Sequence, residues 1–579
     1  MRRLANWARA IPLMLMVALA ACAQPPAAAP TTGGLPATSA NTTPAAPTRV
    51  TIGVLSDDKS LATKLGGLPI TSGGDLRFLQ NAPLVVLDPQ GRPQPRLAAE
   101  LPDRDRNTWT VNPDGTMTTT WKIRPTALWQ DGQPVVARDF VFALQVYLDP
   151  AIAVGDREPE RRMDRIEPVD DRTFTIYWKQ PYPWANQLGQ GQLEPLPEHV
   201  LGALYSAGDK EAFQNAAFFT GPDYVGAGPY RLVNWIKGSQ MDYRAFDGYV
   251  LGRPKIDEVT LRINPDPNAA VATVLAGAVD LTNGFVLGQQ QVSTLKEQWE
   301  SRGDGVVISN PTHTRYVNVQ QDPGKGGQPA LRDVRVRRAL ISALDRVTIA
   351  EVVTAGRAPA ADVMVSPNDP LFSRVLQTVP KYPFDSTRAL ALLRDAGWTR
   401  SPAGALLDAS GQPFQLDVRT NASAADNVAQ RELMASNLSA LGMDITQSES
   451  RLATEREFNA NFTGIYAILQ PINVPNGVTV FMSDQCPRAD NRYVGGNYGC
   501  WANPVFDRLI STATTSLNDA ERVDATVQAF QTMNDEVGII TMSYSTENIP
   551  IRKGLVGPGP RWPAQGGTTW NIHEWAWTQ

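Results

Sequence analysis

The sequence predicts an α/β protein with more than one core-bearing lobe, and three observations carry that expectation. About 530 residues follow a low-complexity N-terminal stretch, well beyond the ~150 that one core ordinarily organises. Segments with strand periodicity alternate with segments of helical periodicity along that whole length. Two apolar strand-like runs, at 316–319 and 539–542, stand far apart and bracket a stretch with strands and helices of its own.

At the N-terminus, Arg2, Arg3 and Arg9 precede an apolar run at 11–20, too short to cross a bilayer as a finished helix. It ends in Leu19-Ala20-Ala21-Cys22, which resembles a bacterial lipobox. The expectation is a signal peptide over 1–21, cleavage before Cys22 and lipidation of its thiol; an ordinary secretory signal with an incidental cysteine is the alternative. Each buried methylene contributes ~0.8 kcal/mol, so two or more acyl chains would hold the protein on a membrane. Residues 22–48 are mostly Ala, Pro, Thr, Gly and Ser with no apolar period, which reads as a tether. In polyproline II it would extend by ~3 Å per residue.

The following body carries no other run long and apolar enough for a membrane span. The whole chain has a net charge of −5, and without a basic stripe nucleic acid is excluded as a partner. Gly and Pro are spread along the chain, as expected of many loops between short elements. Besides Cys22 the only cysteines are Cys486 and Cys500. In an exported chain these are expected to pair, closing a loop of about 15 residues worth ~3 kcal/mol; two buried free thiols are the alternative.

The elements follow in order. Residues 50–55 (Val-Thr-Ile-Gly-Val-Leu) read as an opening strand. Thr118, Thr120, Lys122 and Arg124 alternate with Thr119, Trp121 and Ile123, the period of a half-buried strand. Asp131-Gly132 then supplies a turn, and 139–148 repeats apolar residues at helical spacing. A charged turn at Asp170-Asp171 precedes another alternating strand. Helices are expected over 269–280, 334–346, 384–398 and 519–535, with Gly397 as a C-cap, and a buried strand over 539–544.

Several of these segments resemble, in order, the bacterial extracellular solute-binding proteins of the peptide/nickel/opine class, family 5. The resemblance rests on Trp129-Gln130-Asp131-Gly132 with Ala137-Arg138-Asp139, on Gly226-Ala227-Gly228-Pro229-Tyr230, on the helix ending Asp345-Arg346, and on Ala396-Gly397-Trp398. It runs from about residue 50 to 560. It implies a type II periplasmic-binding-protein-like fold of the large peptide-binding class: two α/β lobes, hinge-crossing strands and a cleft between. Lobe one would be 49–308 plus 546–579, and lobe two 309–545. The implied role is the lipid-anchored, monomeric solute-binding component of an ABC importer, at the outer face of the cytoplasmic membrane or in the periplasm. It would deliver ligand to a permease, with ATP hydrolysed by separate subunits. Oligopeptides are the leading cargo and oligosaccharides the alternative.

In the family's peptide binders a Trp-x-x-Asp-Tyr passage supplies the carboxylate that pairs with a peptide's ammonium. The corresponding segment here, 465–477, places Gln470 at the Trp and Asn473 at the Asp. An amide brings no full charge to offset desolvation of an ammonium in a closed cleft. Thr71 and Ser72, in Thr71-Ser72-Gly73-Gly74, are a second candidate ligand-binding set.

Enzymatic chemistry is not expected. No Gly-x-Ser-x-Gly, His-Glu-x-x-His or phosphate-loop motif is present. His199, His313 and His573 are scattered, so neither a metal site nor a cofactor is expected. Trp121 and Trp129 are expected in the core, and Trp562, Trp570, Trp575 and Trp577 packed onto lobe one.

Overall fold

Ten strands build the central sheet: β1 Arg49–Val54, β2 Tyr230–Ile236, β3 Gln240–Ala245, β4 Glu258–Ile263, β5 Leu281–Thr282, β6 Gly305–Val319, β7 Gln415–Asn421, β8 Asp444–Ser450, β9 Ile465–Pro471 and β10 Ile539–Arg552. Their lateral order is β8-β7-β9-β6-β10-β5-β1-β4-β3-β2. This computed structural model describes residues 47–578 apart from 58–59, 66–75, 155–156, 285, 422–424, 451–454, 472–473, 475 and 563–566. Cys22, Thr71, Ser72 and Asn473 therefore lie outside the described residues.

The architecture is a two-lobed α/β fold, and β6 and β10 are its axis. They pair antiparallel from Gly305↔Arg552 to Asn318↔Ile539, with register shifts at 311–313 and 315–316. Val307 and Ile308 pack with cores drawn from residues 50–299 and 549–577. Further along the same strand Tyr316, Val317 and Val319 pack with cores drawn from 316–542. On β10 the same change falls between Met542 and Ile549. The apolar runs at 316–319 and 539–542 are thus the lobe-two halves of strands that are 15 and 14 residues long.

Trp109–Val111, Met117–Lys122, Thr173–Trp178 and Met163–Asp170 form a separate antiparallel sheet in that order. Met117, Thr119 and Trp121 are buried while Thr118, Thr120 and Lys122 are not, as the alternation predicted. Phe140, from the helix Ala137–Leu148, stacks on Phe174 at 4.6 Å between ring centroids. Trp121 and Trp129 are core residues, and Trp562 and Trp575 belong to the cluster against which Trp570 and Trp577 pack.

The single helix expected over 334–346 is two helices. Val334–Ala343 ends there, and Asp345 starts Arg346–Thr354 by accepting the Thr348 amide at 3.1 Å. A carboxylate N-cap satisfies an otherwise orphaned amide, which decides the break over an unbroken apolar period. Cys486 and Cys500 are disulfide-bonded with a Cα–Cα distance of 4.8 Å. Among the described residues no helix is long and apolar enough to cross a membrane.

Candidate functional site

β7 and β9 run parallel, and β6 enters antiparallel beside β9, so the carboxyl ends of β7 and β9 lie at the level where β6 arrives from lobe one. Ligands of open α/β sheets bind in the crevice outside such carboxyl ends. The segments leaving β7 and β9, at 422–424 and 472–473, are outside the described residues.

Polar residues crowd the crossing point of β6 and β10. The buried Glu547 carboxylate accepts from Thr312 Oγ1 at 3.0 Å and from Trp562 Nε1 at 2.8 Å. A Cβ at Gly284 would stand 2.6 Å from that carboxylate, so only glycine admits it there. His313 Nδ1 is 2.9 Å from Thr312 Oγ1 and 4.0 Å from Glu547. Burial, assisted by Arg315, holds the His313 ring neutral by lowering its pKa to about 4. Asn368 Nδ2 donates to Asn310 Oδ1 at 3.0 Å and Ser366 Oγ to the Pro311 carbonyl at 3.0 Å, so segment 366–372 lies against the crossing. Asp369, in that segment, has its carboxyl pushed up by burial.

Arg315 is the first charged lobe-two side chain on β6, and it is 6 % exposed. Its Nη1 donates to Asn427 Oδ1 at 2.6 Å, and its Nη2 stands 3.6 Å from Asp426 Oδ2. Its Nε is buried with no acceptor among the described residues. Asp426 and Asn427 occupy the first turn of the helix Ala425–Ser439, which follows β7. Burial raises the Asp426 carboxyl above its ordinary range, opposed by Arg315. Across the sheet Gln470 has both ends of its amide engaged: Oε1 accepts from Tyr316 Oη at 2.8 Å and Nε2 donates to the Gly477 carbonyl at 3.3 Å. It thereby ties β9 to the far end of the 472–475 connection.

Lobe one supplies a frame around the segment that carries Thr71 and Ser72. Its leading stem is held by a buried ion pair, Lys64 Nζ to Glu160 Oε2 at 2.6 Å. The trailing stem returns through Arg77, whose Nη1 donates to the Thr63 carbonyl at 2.5 Å, and Asn81, whose Nδ2 donates to the Leu61 carbonyl at 2.8 Å. Two sequence blocks lock onto this stem. A Cβ at Gly228 would stand 2.4 Å from the Gln80 carbonyl carbon, and the Gly228 amide donates to Gln80 O at 2.9 Å. Gln130 Nε2 donates to the Gly228 and Tyr230 carbonyls at 3.1 and 2.8 Å. Asp139 receives the Trp129 indole N–H at 3.0 Å, the Val136 amide at 2.9 Å and the Glu198 amide at 3.1 Å. The residues between Trp129 and Asp139 and the Gly-x-Gly of 226–228 are therefore scaffold for the site.

Among the described residues the lobes also touch away from the crossing strands. Arg357 Nη1 reaches the Gln289 carbonyl at 2.9 Å and its Oε1 at 3.1 Å. Elsewhere Arg104 Nη2 donates to the Leu517 carbonyl at 3.3 Å, Leu517 packs on the core containing Trp109, and the Arg522 guanidinium sits 5.9 Å from the Trp184 ring centroid. Sequence reasoning missed Arg315, Asp426, Arg357 and Glu547. Arg315 alone left a signal, a charge set inside an otherwise strand-like run.

Comparisons with known proteins agree with this architecture. Residues 92–480 match the family model for bacterial extracellular solute-binding proteins, family 5 (middle region). The oligopeptide-binding protein AppA of Bacillus subtilis (strain 168) is 24 % identical over 450 residues, covering 77 % of this chain and 78 % of AppA. The oligopeptide-binding protein of Thermus thermophilus, solved with a pentapeptide, superposes with a TM-score of 0.72 at 22 % identity, over 91 % of this chain and 96 % of that one. A periplasmic EDTA-binding protein, EppA, reaches a TM-score of 0.74 at 17 % identity over 95 % of this chain and 100 % of that one, so the shared fold does not select one ligand class. The extent of the family match, together with two lobes hinged on β6 and β10, establishes that the chain belongs to the family 5 bacterial extracellular solute-binding proteins.

Proposed function

We propose that the chain captures oligopeptides between its two lobes outside the cytoplasm and delivers them to the permease of an ABC importer. As a member of its family it is a binding protein of transport, not an enzyme. The observation that carries the peptide reading is the kinship, over 77 % of this chain, with a relative named for oligopeptides, which sets the oligosaccharide alternative aside. The contacts of Arg357 with Gln289 and of Arg522 with Trp184 support closure around a ligand. Closing has to be favoured by ligand contacts available only when both lobes meet. Delivery reverses this, with ATP hydrolysed by other subunits.

The finer organisation belongs to the same proposal. Cys22 carries the lipid anchor, 22–48 is the tether, and the working unit is a monomer at the outer face of the cytoplasmic membrane. Lobe boundaries at 308/309 and 545/546 are supported by the change of core membership along β6 and β10. Thr71, Ser72 and Asn473 are proposed to contact ligand, with Gln470 positioning the connection that carries Asn473. Native mass spectrometry of the detergent-solubilised full chain tests the reading. Co-purifying peptides, or binding from a defined peptide pool, are expected; a chain that ignores the pool and takes up oligosaccharides would overturn it.

A further inference from the structure

The two sulfurs of the Cys486–Cys500 disulfide meet opposite charges. Both charges come from the turn that follows β6, where Asp322 Oδ1 caps Pro323–Lys325 by accepting the Gly324 amide at 2.9 Å. Lys325 Nζ stands 3.4 Å from Cys500 Sγ and donates to the Pro487 carbonyl at 3.2 Å. Asp322 Oδ2 lies 4.0 Å from Cys486 Sγ and pairs with Arg488 Nε at 3.3 Å. The Gln321 amide donates to the Gly499 carbonyl at 2.8 Å, which fixes the turn against the 486–500 loop.

This asymmetry decides how the bond exchanges. A thiolate that attacks a disulfide joins one sulfur and expels the other, and the better-stabilised thiolate leaves faster. An ammonium beside a sulfur stabilises its thiolate. Burial lowers the Lys325 ammonium to about 8, with Asp322 opposing and Arg488 assisting, so it is still mostly charged at neutral pH. Electrostatics therefore make Cys500 the leaving group. Access alone points the other way, because Cys500 is 9 % exposed and Cys486 only 4 %. The backbone adds a reason for the loop to open once the bond is cut. Arg492, Tyr493 and Cys500 hold φ of 57°, 56° and 51°, a left-handed conformation that is costly for residues with side chains.

We propose that Cys486–Cys500 is a polarised thiol-exchange site, at which an external thiolate bonds to Cys486 Sγ and Cys500 leaves as a thiolate paired with Lys325. The S–S bond breaks and its electron pair stays on Cys500 Sγ. A second thiolate then removes the added group from Cys486 as an external disulfide, which completes a two-electron reduction. In reverse, the Cys500 thiolate displaces a thiol from a mixed disulfide on Cys486 and closes the bond. Lys325 is a positioning residue of this chemistry and does not itself react.

Glutathione is the probe. The oxidised, detergent-solubilised full chain is incubated with it at neutral pH, free thiols are blocked with N-ethylmaleimide, and peptide mass spectrometry locates the adduct. An excess of about tenfold on Cys486 over Cys500 is expected. It should shrink as pH rises through the Lys325 value, persist at every pH in K325R and vanish in K325M. A second measurement separates this charge effect from a loop merely loosened by substitution. In the reduced chain, iodoacetamide should modify Cys500 with a midpoint about one pH unit or more below that of Cys486. K325M should raise the Cys500 midpoint and leave that of Cys486 in place. Adduct mainly on Cys500, an even split, an excess that survives K325M, or equal alkylation midpoints would each overturn the assignment. A native disulfide that glutathione leaves untouched would overturn it as well.

Discussion

Two buried cations, one in each lobe, are treated differently by the fold. Lys64 in lobe one meets Glu160 at 2.6 Å, and both side chains are at most 3 % exposed. Both partners are further engaged: the second Glu160 oxygen accepts the Leu193 amide at 2.6 Å, and Lys64 also donates to the Glu158 carbonyl at 3.3 Å. Arg315 in lobe two meets Asp426 only at 3.6 Å, and its Nε has no acceptor among the described residues. A buried charge with saturated partners fixes a shape, while one with capacity to spare can respond to an incoming group. The first pair lies wholly within the interior of lobe one; the second joins the middle of β6 to the first turn of the helix that follows β7.

The largest effect should separate these pairs by stability. K64M leaves Glu160 buried without its cation, and breaking such a pair costs about 3–5 kcal/mol. R315M leaves Asp426 partly in water and should cost clearly less. Urea unfolding of both variants checks the contrast; equal losses would mean that the Arg315 pair is as structural as the Lys64 pair. Next comes the disulfide. Cys486 and Cys500 are 14 residues apart, and a loop of that size corresponds to ~3 kcal/mol in the chain-entropy account. The double variant C486S/C500S should lose about that much in urea unfolding; an unmoved midpoint would mean that packing alone holds the 486–500 loop.

Acid should act through two histidines. His313 is held at about 4 by burial and Arg315, with Glu547 also nearby. His573 is held at about 3 by burial, Arg96 and Lys255, with Tyr249 and Glu574 against it. Both folded-state values lie below the unfolded value, so the unfolded chain binds more protons as pH falls. Their contribution to stability is full above ~6.5 and is lost progressively toward the folded values, by about 1.4 kcal/mol per pH unit for each ring. Denaturant midpoints should therefore fall between pH 6.5 and 5.5, and H313Q should flatten the fall. A midpoint that does not move in that window would show that these rings are not kept neutral by the fold.

How far the sequence foretold these regions follows from where each interaction's partners lie along the chain. The strand–turn–helix at 117–148 was legible because its signals are local: alternation, Asp131-Gly132, and Asp139 ten residues from the indole it receives. The crossing was not. Ser309-Asn310-Pro311-Thr312-His313-Thr314 is polar and carries no strand alternation of apolar residues, yet it is the middle of a strand. Two of its side chains are satisfied by residues more than 200 positions away, Thr312 by Glu547 and Ser309 by Asn548. The break at Leu344 was missed because Asp345 extends an apolar helical period while its carboxylate caps the next helix. Arg315 and Asp426 meet only through the topology, so neither could be named as a site from spacing alone.

The smallest effect is expected at the rim, where it bears on closure rather than on folding. Arg522 is anchored on its own lobe by the Ser516 carbonyl at 3.0 Å and Asp519 at 2.6 Å, and it reaches Trp184 of lobe one at 5.9 Å. A guanidinium over an indole at that distance is worth about 0.5–1 kcal/mol when exposed. If the contact exists only when the lobes meet, R522A removes that amount from the closed state alone. Bound peptide should then dissociate roughly two- to fivefold faster, with association unchanged and the unfolding midpoint of the ligand-free chain unmoved. Stopped-flow displacement measures the first, and urea titration the last. A lower midpoint with unchanged dissociation would mean that the rim contact persists without ligand, which would move the energetics of closure to Arg357, Gln289 and the crossing strands.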